Sequence, residues 1–322
     1  MSELRRDPLR GEWVVTATHR MERPQMPDEW CPFCPGSGLV PDDYDVYLYS
    51  NDFPSFASPP PPMSVSPGPG SVWDARPSWG ACDVVLYHPD HDRDFLDIDM
   101  GHLVKLAALW QKRYLELFQN KRVKYVLIFE NSGEEIGVTI PHPHGQIYAF
   151  PLVPPVPGAE MRRAKSFKRR TGRCLHCRLI EEEARDGRRM VFDENGWAAF
   201  VPFAARWPYE VHLYPRRCAG HLGELSYEEL RTMMSAIKRL LATYRNYYQR
   251  AFPYMMLFHQ APPRGSVGEG THMHIEFCPI RRSREKLKYR AGCETGAGIF
   301  INDSHPEEKA AELRSLLAGP HD

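Results

Sequence analysis

Most of this chain is built from one sequence pattern that occurs twice. Residues 30–151 contain, in order, a CxxC pair, an apolar run followed by histidine, a helix-like stretch, a second apolar run and a histidine-rich segment. Residues 173–279 contain the same parts in the same order. The interval from His91 to His142 is 51 residues, and so is the interval from His221 to His272. Self-similarity of this kind indicates two related structural units.

The two halves differ by one insertion. The distance from Cys34 to His91 is 57 residues, whereas Cys177 and His221 are 44 residues apart. The first half carries a Pro/Gly/Ser-rich segment of 13 residues at 58–70, which accounts for the difference. Such a composition predicts a loop or linker and cannot supply a central strand.

Each half shows an α+β pattern. β-branched or aromatic runs bounded by turn residues predict strands at 84–87, 124–129 and 145–150. Apolar residues at helical spacing predict helices at 102–118 and 225–248, and Ser226 followed by Glu229 predicts a capping box. We expect a first unit at 1–157, a second at 173–322, and a basic connector at 158–172 that is a solvated loop or helix end.

Composition limits the partners of the protein. Lys+Arg and Asp+Glu both number 41, so no net charge attracts nucleic acid or membrane, and local groups must hold an anionic substrate. The N-terminal stretch lacks an apolar signal region and no 18-residue apolar run occurs, which favours a cytoplasmic protein without a membrane span. The eight cysteines do not indicate a disulfide framework in such a protein.

The CxxC pairs predict two metal sites. The first set is Cys31, Cys34, His91 and His142; the second is Cys174, Cys177, His221 and His272. Four N/S ligands suit tetrahedral Zn²⁺, and a site closed by four protein ligands is structural because no position remains for an activated water. A CxxC pair also suits redox chemistry in a thioredoxin-like setting, and such residues can simply be packed. The repeated spacing favours zinc.

The segment PHPHGQIYA at 141–149 predicts a nucleophile. His142 and His144 are two residues apart, so on an extended segment their side chains point to the same face. With His142 bound to zinc, His144 is held beside it, and neutral imidazole attacks phosphorus well at pH 7. Gly145 permits close approach, and the Gln146 amide can donate to a phosphoryl oxygen. These residues alone do not distinguish a nucleophilic His144 from one that binds a metal or supports a metal ligand.

The motifs together resemble the galactose-1-phosphate uridylyltransferase family, a branch of the histidine-triad superfamily. The resemblance covers nearly the whole chain and rests on residues 7–24, CPFCPG at 31–36, YSNDFPSF at 49–56, YHPDHD at 87–92, FENSG at 129–133, HPHGQIY at 142–148 and RWPYEVHLYP at 206–215. It implies two histidine-triad-like half-barrel units, each an antiparallel sheet with packed helices. It also implies a homodimer whose active sites include residues of both chains.

The resemblance implies a ping-pong reaction of galactose metabolism. UDP-glucose would give its UMP to His144, glucose 1-phosphate would leave, and galactose 1-phosphate would then take the UMP, with Gln146 stabilising the uridylylated histidine. Residues that fall where the family contacts nucleotide, phosphate or sugar are Arg20, Arg23, Asn51, Asp52, Asn131, Gly137, Thr139, Lys288 and Glu294. Cys293 stands where the family usually has Tyr, and Phe300 lies near an expected Gln, which puts the acceptor sugar phosphate in doubt.

The second metal site departs from the pattern of well-known members. Those members use a Glu and histidines whose counterparts are Glu160, His259 and His274, with Glu276 where a further His is expected. This chain instead completes a Cys/His set, as the related plant ADP-glucose phosphorylases do, so we expect a second zinc, with iron as the alternative. His274 aligns with the nucleophile in the repeat but lacks the HPHGQ context, which indicates a non-catalytic second half.

Two other functions compete with uridylyl transfer. A nucleotidyl phosphorylase of the ADP-glucose type would use the same histidine with inorganic phosphate as the acceptor. A non-catalytic, zinc-organised nucleotide-binding protein is disfavoured by the intact pair of His144 and Gln146.

Overall fold

The computed structural model describes residues 1–22, 30–249, 252–263 and 270–317. In these ranges the strands are β1 Ser2–Arg6, β2 Trp13–Ala17, β3 Tyr47–Ser50, β4 Asp74–Pro77, β5 Ala81–Leu86, β6 Tyr125–Ser132, β7 His144–Phe150, β8 Met190–Glu194, β9 Trp197–Phe200, β10 Val211–Pro215, β11 Tyr254–His259 and β12 His274–Pro279. The α-helices are α1 Met100–Leu117, α2 Pro155–Thr171, α3 Leu175–Asp186, α4 Tyr227–Tyr248, α5 Gly292–Gly296 and α6 Pro306–Ser315.

Nine of the strands in the described ranges form one antiparallel sheet, in the order β3-β5-β7-β6-β11-β12-β10-β9-β8. The first half contributes β5-β7-β6 and the second half contributes β11-β12-β10, so the order of equivalent strands is mirrored about the centre of the sheet. There β6 pairs with β11 and joins the halves. The predicted α+β fold of two repeated antiparallel units is confirmed. The remaining strands form a small sheet, β2-β1-β4.

The repeat places its helices as expected. The helix predicted at 102–118 is α1, and the Asp99 side chain caps it by accepting a hydrogen bond from the His102 N–H. The helix predicted at 225–248 is α4, and Ser226 and Glu229 form the predicted capping box. The three predicted strands correspond to β5, β6 and β7. Residues 58–70 lie outside the helices and strands.

The halves share one hydrophobic core. Helices α1 and α4 contact each other, and their buried apolar residues belong to the same cluster as the sheet residues beneath them. Trp110 of α1 is fully buried and contacts the edge of Phe258 in β11, at 5.3 Å between ring centroids. Complete burial of a side chain this size stabilises the fold by about 3 kcal/mol, so the first half depends on a strand of the second.

Most of the predicted connector is helical. Helix α2 covers residues 155–171 and ends at Gly172, whose φ of 73° is the left-handed conformation that glycine adopts without strain. None of the helices in the described part of the chain combines the length and apolar character that a membrane span requires.

Candidate active site and metal centres

The first predicted metal set converges. The ligand atoms of Cys31, Cys34, His91 and His142 all lie within 4.8 Å of one another. The Cys34 sulfur is 3.5 Å from Nδ1 of His91 and 3.7 Å from Nδ1 of His142. Ligands of tetrahedral zinc are separated by about 3.3–3.8 Å, so these two distances suit the ion.

The protein fixes which nitrogen of His142 faces the cluster. Its Nε2 lies 2.8 Å from the His88 carbonyl oxygen. Because a carbonyl oxygen only accepts, Nε2 carries the proton, and Nδ1 of the neutral ring holds the lone pair that can bind a metal. Burial lowers the pKa of His142 to about 4 and raises the pKa of the Cys34 thiol to about 11. The imidazole is therefore neutral, as a metal ligand must be, and a bound cation would displace the thiol protons.

The second cluster corrects one predicted ligand. Cys174, Cys177 and His272 come together as expected, with the Cys177 sulfur 3.5 Å from Nδ1 of His272. The fourth member is Cys218, not the predicted His221. Three sulfurs and one imidazole are a donor set that zinc accepts.

His221 is turned away from this cluster by local structure. It precedes the 3₁₀-helix Leu222–Glu224, and its ring stacks on Tyr114 of α1 at 5.4 Å between centroids. Its Nε2 lies 3.4 Å from a Glu224 carboxylate oxygen. Cys218, three residues earlier in the same loop, supplies the ligand atom instead. The 51-residue interval therefore located the correct loop, but it did not identify which side chain of that loop joins the cluster.

A third cluster lies beside the second. Glu160, His259, His274 and Glu276 bring their ligand atoms within 4.8 Å of one another. The sequence suggested this set as an alternative to the cysteine set, whereas the structure contains both. Nδ1 of His259 is 2.9 Å from Glu160, and Nε2 of His274 is 3.3 Å from Glu276. Burial opposes protonation of His259, but the carboxylates of Glu276 and Glu160 outweigh it and raise its pKa to about 9.

His144 lies outside these three clusters and begins strand β7. Its Nδ1 is 2.8 Å from the carbonyl oxygen of His142, the residue that faces the first cluster. A carbonyl oxygen only accepts, so Nδ1 carries the proton and Nε2 holds the lone pair. The backbone of a residue in the first cluster thereby sets both the orientation and the tautomer of the candidate nucleophile.

The alternation along β7 matches the prediction. His144 and Gln146 are half-buried on one face, while Gly145 and Ile147 are buried on the other. A Cβ at position 145 would lie 2.2 Å from the Tyr87 hydroxyl, so only glycine fits there. The imidazole and the amide therefore share the half-buried face of the strand.

His144 lines a cavity of about 680 Å³. Loop residues after β5, the end of β6 and part of α4 form its other walls, and the predicted site residues Asn131 and Thr139 are among them. Gly137 precedes Thr139 in the same loop and has a φ of 84°. The volume is sufficient for a sugar phosphate or a nucleotide-sized ligand.

Other predicted substrate residues lie at the neighbouring edge of the sheet. Asn51 and Asp52 follow β3, and the Asn51 N–H donates to the Cys82 carbonyl oxygen of β5. The Arg20 guanidinium donates to the Phe53 carbonyl oxygen at 2.8 Å, which holds it against this loop. Arg23 lies outside the described residues.

Lys288 and Glu294 are not among the residues that line the His144 cavity. Both are buried, and their charged groups pair with each other at 3.3 Å. Within one chain the structure thus does not bring these two predicted sugar-binding residues to His144.

Sequence reasoning missed several cavity residues. Arg245 of α4 lines the cavity and pairs with Asp94, and Glu130 and Tyr254 line its floor. Glu130 could have been found from the sequence, because it precedes Asn131 in the FENSG motif. Arg245 could not, because α4 has the pattern of an ordinary amphipathic helix.

The galactose-1-phosphate uridyl transferase family models match both halves, the N-terminal domain at residues 1–154 and the C-terminal domain at 160–321. The chain belongs to this family. The predicted family and enzyme class, a nucleotidyltransferase, are therefore confirmed.

Relatives of full length support the assignment. The galactose-1-phosphate uridylyltransferase of Thermotoga maritima is 39% identical over 317 residues, covering 98% of each chain. That of Streptomyces lividans is 35% identical and covers 98% of this chain and 87% of its own.

Solved structures show the same architecture. A uridylyltransferase structure superimposes with a TM-score of 0.88 at 36% identity, over 98% of both chains. An ADP-glucose phosphorylase from Arabidopsis thaliana has a TM-score of 0.74 at 24% identity, again over 98% of both chains, and shares the fold.

Proposed function

We propose that this protein transfers UMP from UDP-glucose to galactose 1-phosphate through a covalent uridylyl-histidine at His144. The observation that carries the proposal is the hydrogen bond from Nδ1 of His144 to the His142 carbonyl, which leaves Nε2 as the attacking nitrogen beside a cavity. An imidazole fixed in the reactive tautomer needs no separate base.

The reaction has two displacements at the same phosphorus. In the first, Nε2 of His144 bonds to the α-phosphorus of UDP-glucose, and the bond to the bridging oxygen breaks, which releases glucose 1-phosphate. In the second, a phosphate oxygen of galactose 1-phosphate bonds to that phosphorus and the P–N bond breaks, which regenerates the imidazole. The Gln146 amide, on the same face as His144, donates to a phosphoryl oxygen whose charge grows at each transition state.

We infer that the remaining substrate groups are arranged around this pair. Asn131, Gly137 and Thr139 would contact the phosphates from the cavity side, and Arg20, Arg23, Asn51 and Asp52 would hold the nucleotide from the edge of the sheet. Lys288 and Glu294 do not line this cavity and are buried against each other in their own chain. We propose a homodimer with shared active sites from the family resemblance.

For the metals, we propose one structural zinc on the first Cys/His cluster and a second on Cys174, Cys177, Cys218 and His272. The ligand separations and the donor types support both. The cluster of Glu160, His259, His274 and Glu276 offers two carboxylates and two imidazoles, a set that suits iron or a similar divalent ion. Zinc would anchor His142 beside the nucleophile and take no direct part in the transfer.

We propose a cytoplasmic location and the division into units at 1–157 and 173–322. All eight cysteines are free, and thiol ligands of this kind persist in a reducing compartment.

The test uses UDP-glucose that carries ³²P in the phosphate next to uridine. Without an acceptor, the protein should acquire label in an acid-labile, base-stable bond, and His144→Gly should lose it while keeping wild-type zinc content. The matched control His305→Gly removes an exposed histidine and should label normally. Persistent labelling of His144→Gly would remove His144 from its role.

The acceptor is identified by a second assay. Labelled protein should discharge to galactose 1-phosphate and form UDP-galactose. Preference for ADP-glucose as donor and inorganic phosphate as acceptor would instead identify a nucleotidyl phosphorylase. Nucleotide binding without any labelling would identify a non-catalytic protein.

A further inference from the structure

One buried tyrosine contacts the backbone on both sides of His144. Tyr87 follows β5, and its backbone N–H donates to the Pro143 carbonyl oxygen at 3.0 Å. Its hydroxyl packs beneath Gly145, so closely that a Cβ there would lie 2.2 Å from the oxygen. Tyr87 is only 2% exposed. The segment that carries the nucleophile therefore contacts both the backbone N–H and the side chain of this residue.

The Tyr87 hydroxyl in turn interacts with a buried carboxyl group, Glu130 of β6. Tyr254, the first residue of β11, donates its hydroxyl hydrogen to the same carboxyl at 2.6 Å. Glu130 lies next to Asn131 on β6, and β6 pairs directly with β7. The three side chains thus connect the residue that follows β5 with β6, next to Asn131, and with β11 of the second half.

This carboxyl group is costly to bury. Glu130 is 6% exposed, and the groups of the described chain that act on it are the two tyrosine hydroxyls and the like-charged Asp94. Burial raises its pKa to about 7, although both hydroxyls act in the opposite direction. Among the described residues no cation pairs with it, so packing alone does not explain a glutamate at this position. Neither the metal clusters nor the two displacements require it.

We infer that Glu130 is a positioning residue of the transfer reaction, which acts through the Tyr87 hydroxyl to hold the backbone around His144 in register with the phosphate-binding end of β6. The inference rests on the proposed function. Glu130 accepts a hydrogen bond from the Tyr254 hydroxyl and lies beside the Tyr87 hydroxyl, whose oxygen packs under Gly145. Tyr254 ties the same group to the second half of the sheet.

This role predicts a loss of rate without a loss of binding. Misplacing a reacting atom by about 1 Å costs on the order of 10²-fold in rate, and loosening one support should cost roughly tenfold or more. The nucleophile and its proton remain, so each variant should still reach full labelling. The Michaelis constant for UDP-glucose should stay within about threefold of wild type, because the substrate-contacting groups are unchanged.

The experiment measures the single-turnover rate of labelling by UDP-[α-³²P]glucose in rapid-quench mode. The variants are Glu130→Gln, Tyr87→Phe and their double mutant, with Tyr244→Phe as the matched control. Tyr244 is a fully buried tyrosine whose hydroxyl donates to the Tyr209 carbonyl at 2.7 Å, on the other side of the core. Melting temperature and zinc content are recorded for each protein.

We expect each single variant to label about tenfold or more slowly, and the double mutant to be no slower than the slower single one, because both changes break the same chain of contacts. Tyr244→Phe should lose stability and keep its rate. Wild-type rates in Glu130→Gln and Tyr87→Phe, or additive losses in the double mutant, would overturn the inference while leaving the proposed function intact. Absence of labelling in the wild-type protein would overturn both.

Discussion

The two halves of the sheet place equivalent strand positions in opposite environments. In the first half, every second position of this segment is occupied by His142, His144 and Gln146. The equivalent positions of the second half are His272, His274 and Glu276. His144 is half-buried and lines a cavity of about 680 Å³, whereas His274 is 3% exposed. Both follow a histidine that belongs to a cysteine cluster.

The difference lies in what covers each histidine. The His274 ring stacks on Tyr214, at 4.8 Å and 17° between the ring planes, and its Nε2 lies 3.3 Å from Glu276. A phosphate brought to that position would meet the carboxylates of Glu276 and Glu160 instead of an amide donor. The repeated backbone therefore supplies the same scaffold in both halves. The two histidines differ in their access to a cavity and in the charge of the residue two positions later, and we expect these two differences to confine the transfer reaction to the first half.

Exchanging that residue should change activity most. Gln146→Glu gives the first half the side chain of the second, removes one donor to the phosphoryl oxygen and adds a like charge beside it. Loss of one such donor costs on the order of 10²–10³-fold in rate, and turnover with UDP-glucose and galactose 1-phosphate should fall by at least that factor. Zinc content should not change.

The reciprocal change is the control for that comparison. Glu276→Gln alters the buried cluster of the second half and should leave turnover within about threefold of wild type, because His274 remains covered. Turnover that survives Gln146→Glu, or that collapses in Glu276→Gln, would show that the division of roles between the halves is wrong.

The second metal cluster offers a more moderate contrast. Cys218→Ser should lower zinc from about two ions per chain to about one and destabilise the fold by at least about 2 kcal/mol, because a closed zinc site contributes directly to folding. His221→Ala should keep both ions, since its ring contacts Tyr114 and not the cluster. Metal analysis and denaturant unfolding measure both effects; zinc lost from His221→Ala alone would restore the ligand set predicted from spacing.

A further change is a pH dependence of stability that comes from Glu130. Burial raises the pKa of Glu130 to about 7 from the ordinary value of 4.5. The folded state therefore binds this proton more tightly, and its contribution to stability is lost as the pH rises between these two values. The effect is no more than about 3 kcal/mol.

Glu130→Gln should remove this slope from unfolding free energies measured between about pH 5 and pH 8. If the slope of the unfolding free energy against pH is unchanged in the variant, the pH dependence comes from other groups. The histidines of the three clusters would be the first of these to test.

Much of this arrangement was predictable because it depends on local periodicity and on the repeat. The helices α1 and α4, the strands β5 to β7 and the first Cys/His cluster follow from patterns that each segment carries itself. The matched interval of 51 residues located the loop of the second cluster. It could not distinguish Cys218 from His221, because that choice depends on how a short 3₁₀-helix turns the chain against Tyr114.

The sequence patterns did not predict the contacts between the two halves. The pairing of β6 with β11 brings Tyr254 to Glu130, although 124 residues separate them. Arg245 reaches the His144 cavity from a helix of the other half. The coexistence of the cysteine cluster with the Glu160 cluster has the same origin, since Glu160 of α2 lies 2.9 Å from His259 of β11.

The central claim is that His144, and not its counterpart in the second half, carries the nucleotide. Protein incubated with UDP-glucose alone, digested and analysed by tandem mass spectrometry under conditions that preserve P–N bonds tests it directly. We expect a uridylyl group on the peptide that contains His144, at one group per chain, with the peptide of His274 unmodified. A uridylyl group on any other residue, or none on the His144 peptide while UDP-galactose is still formed, would contradict it.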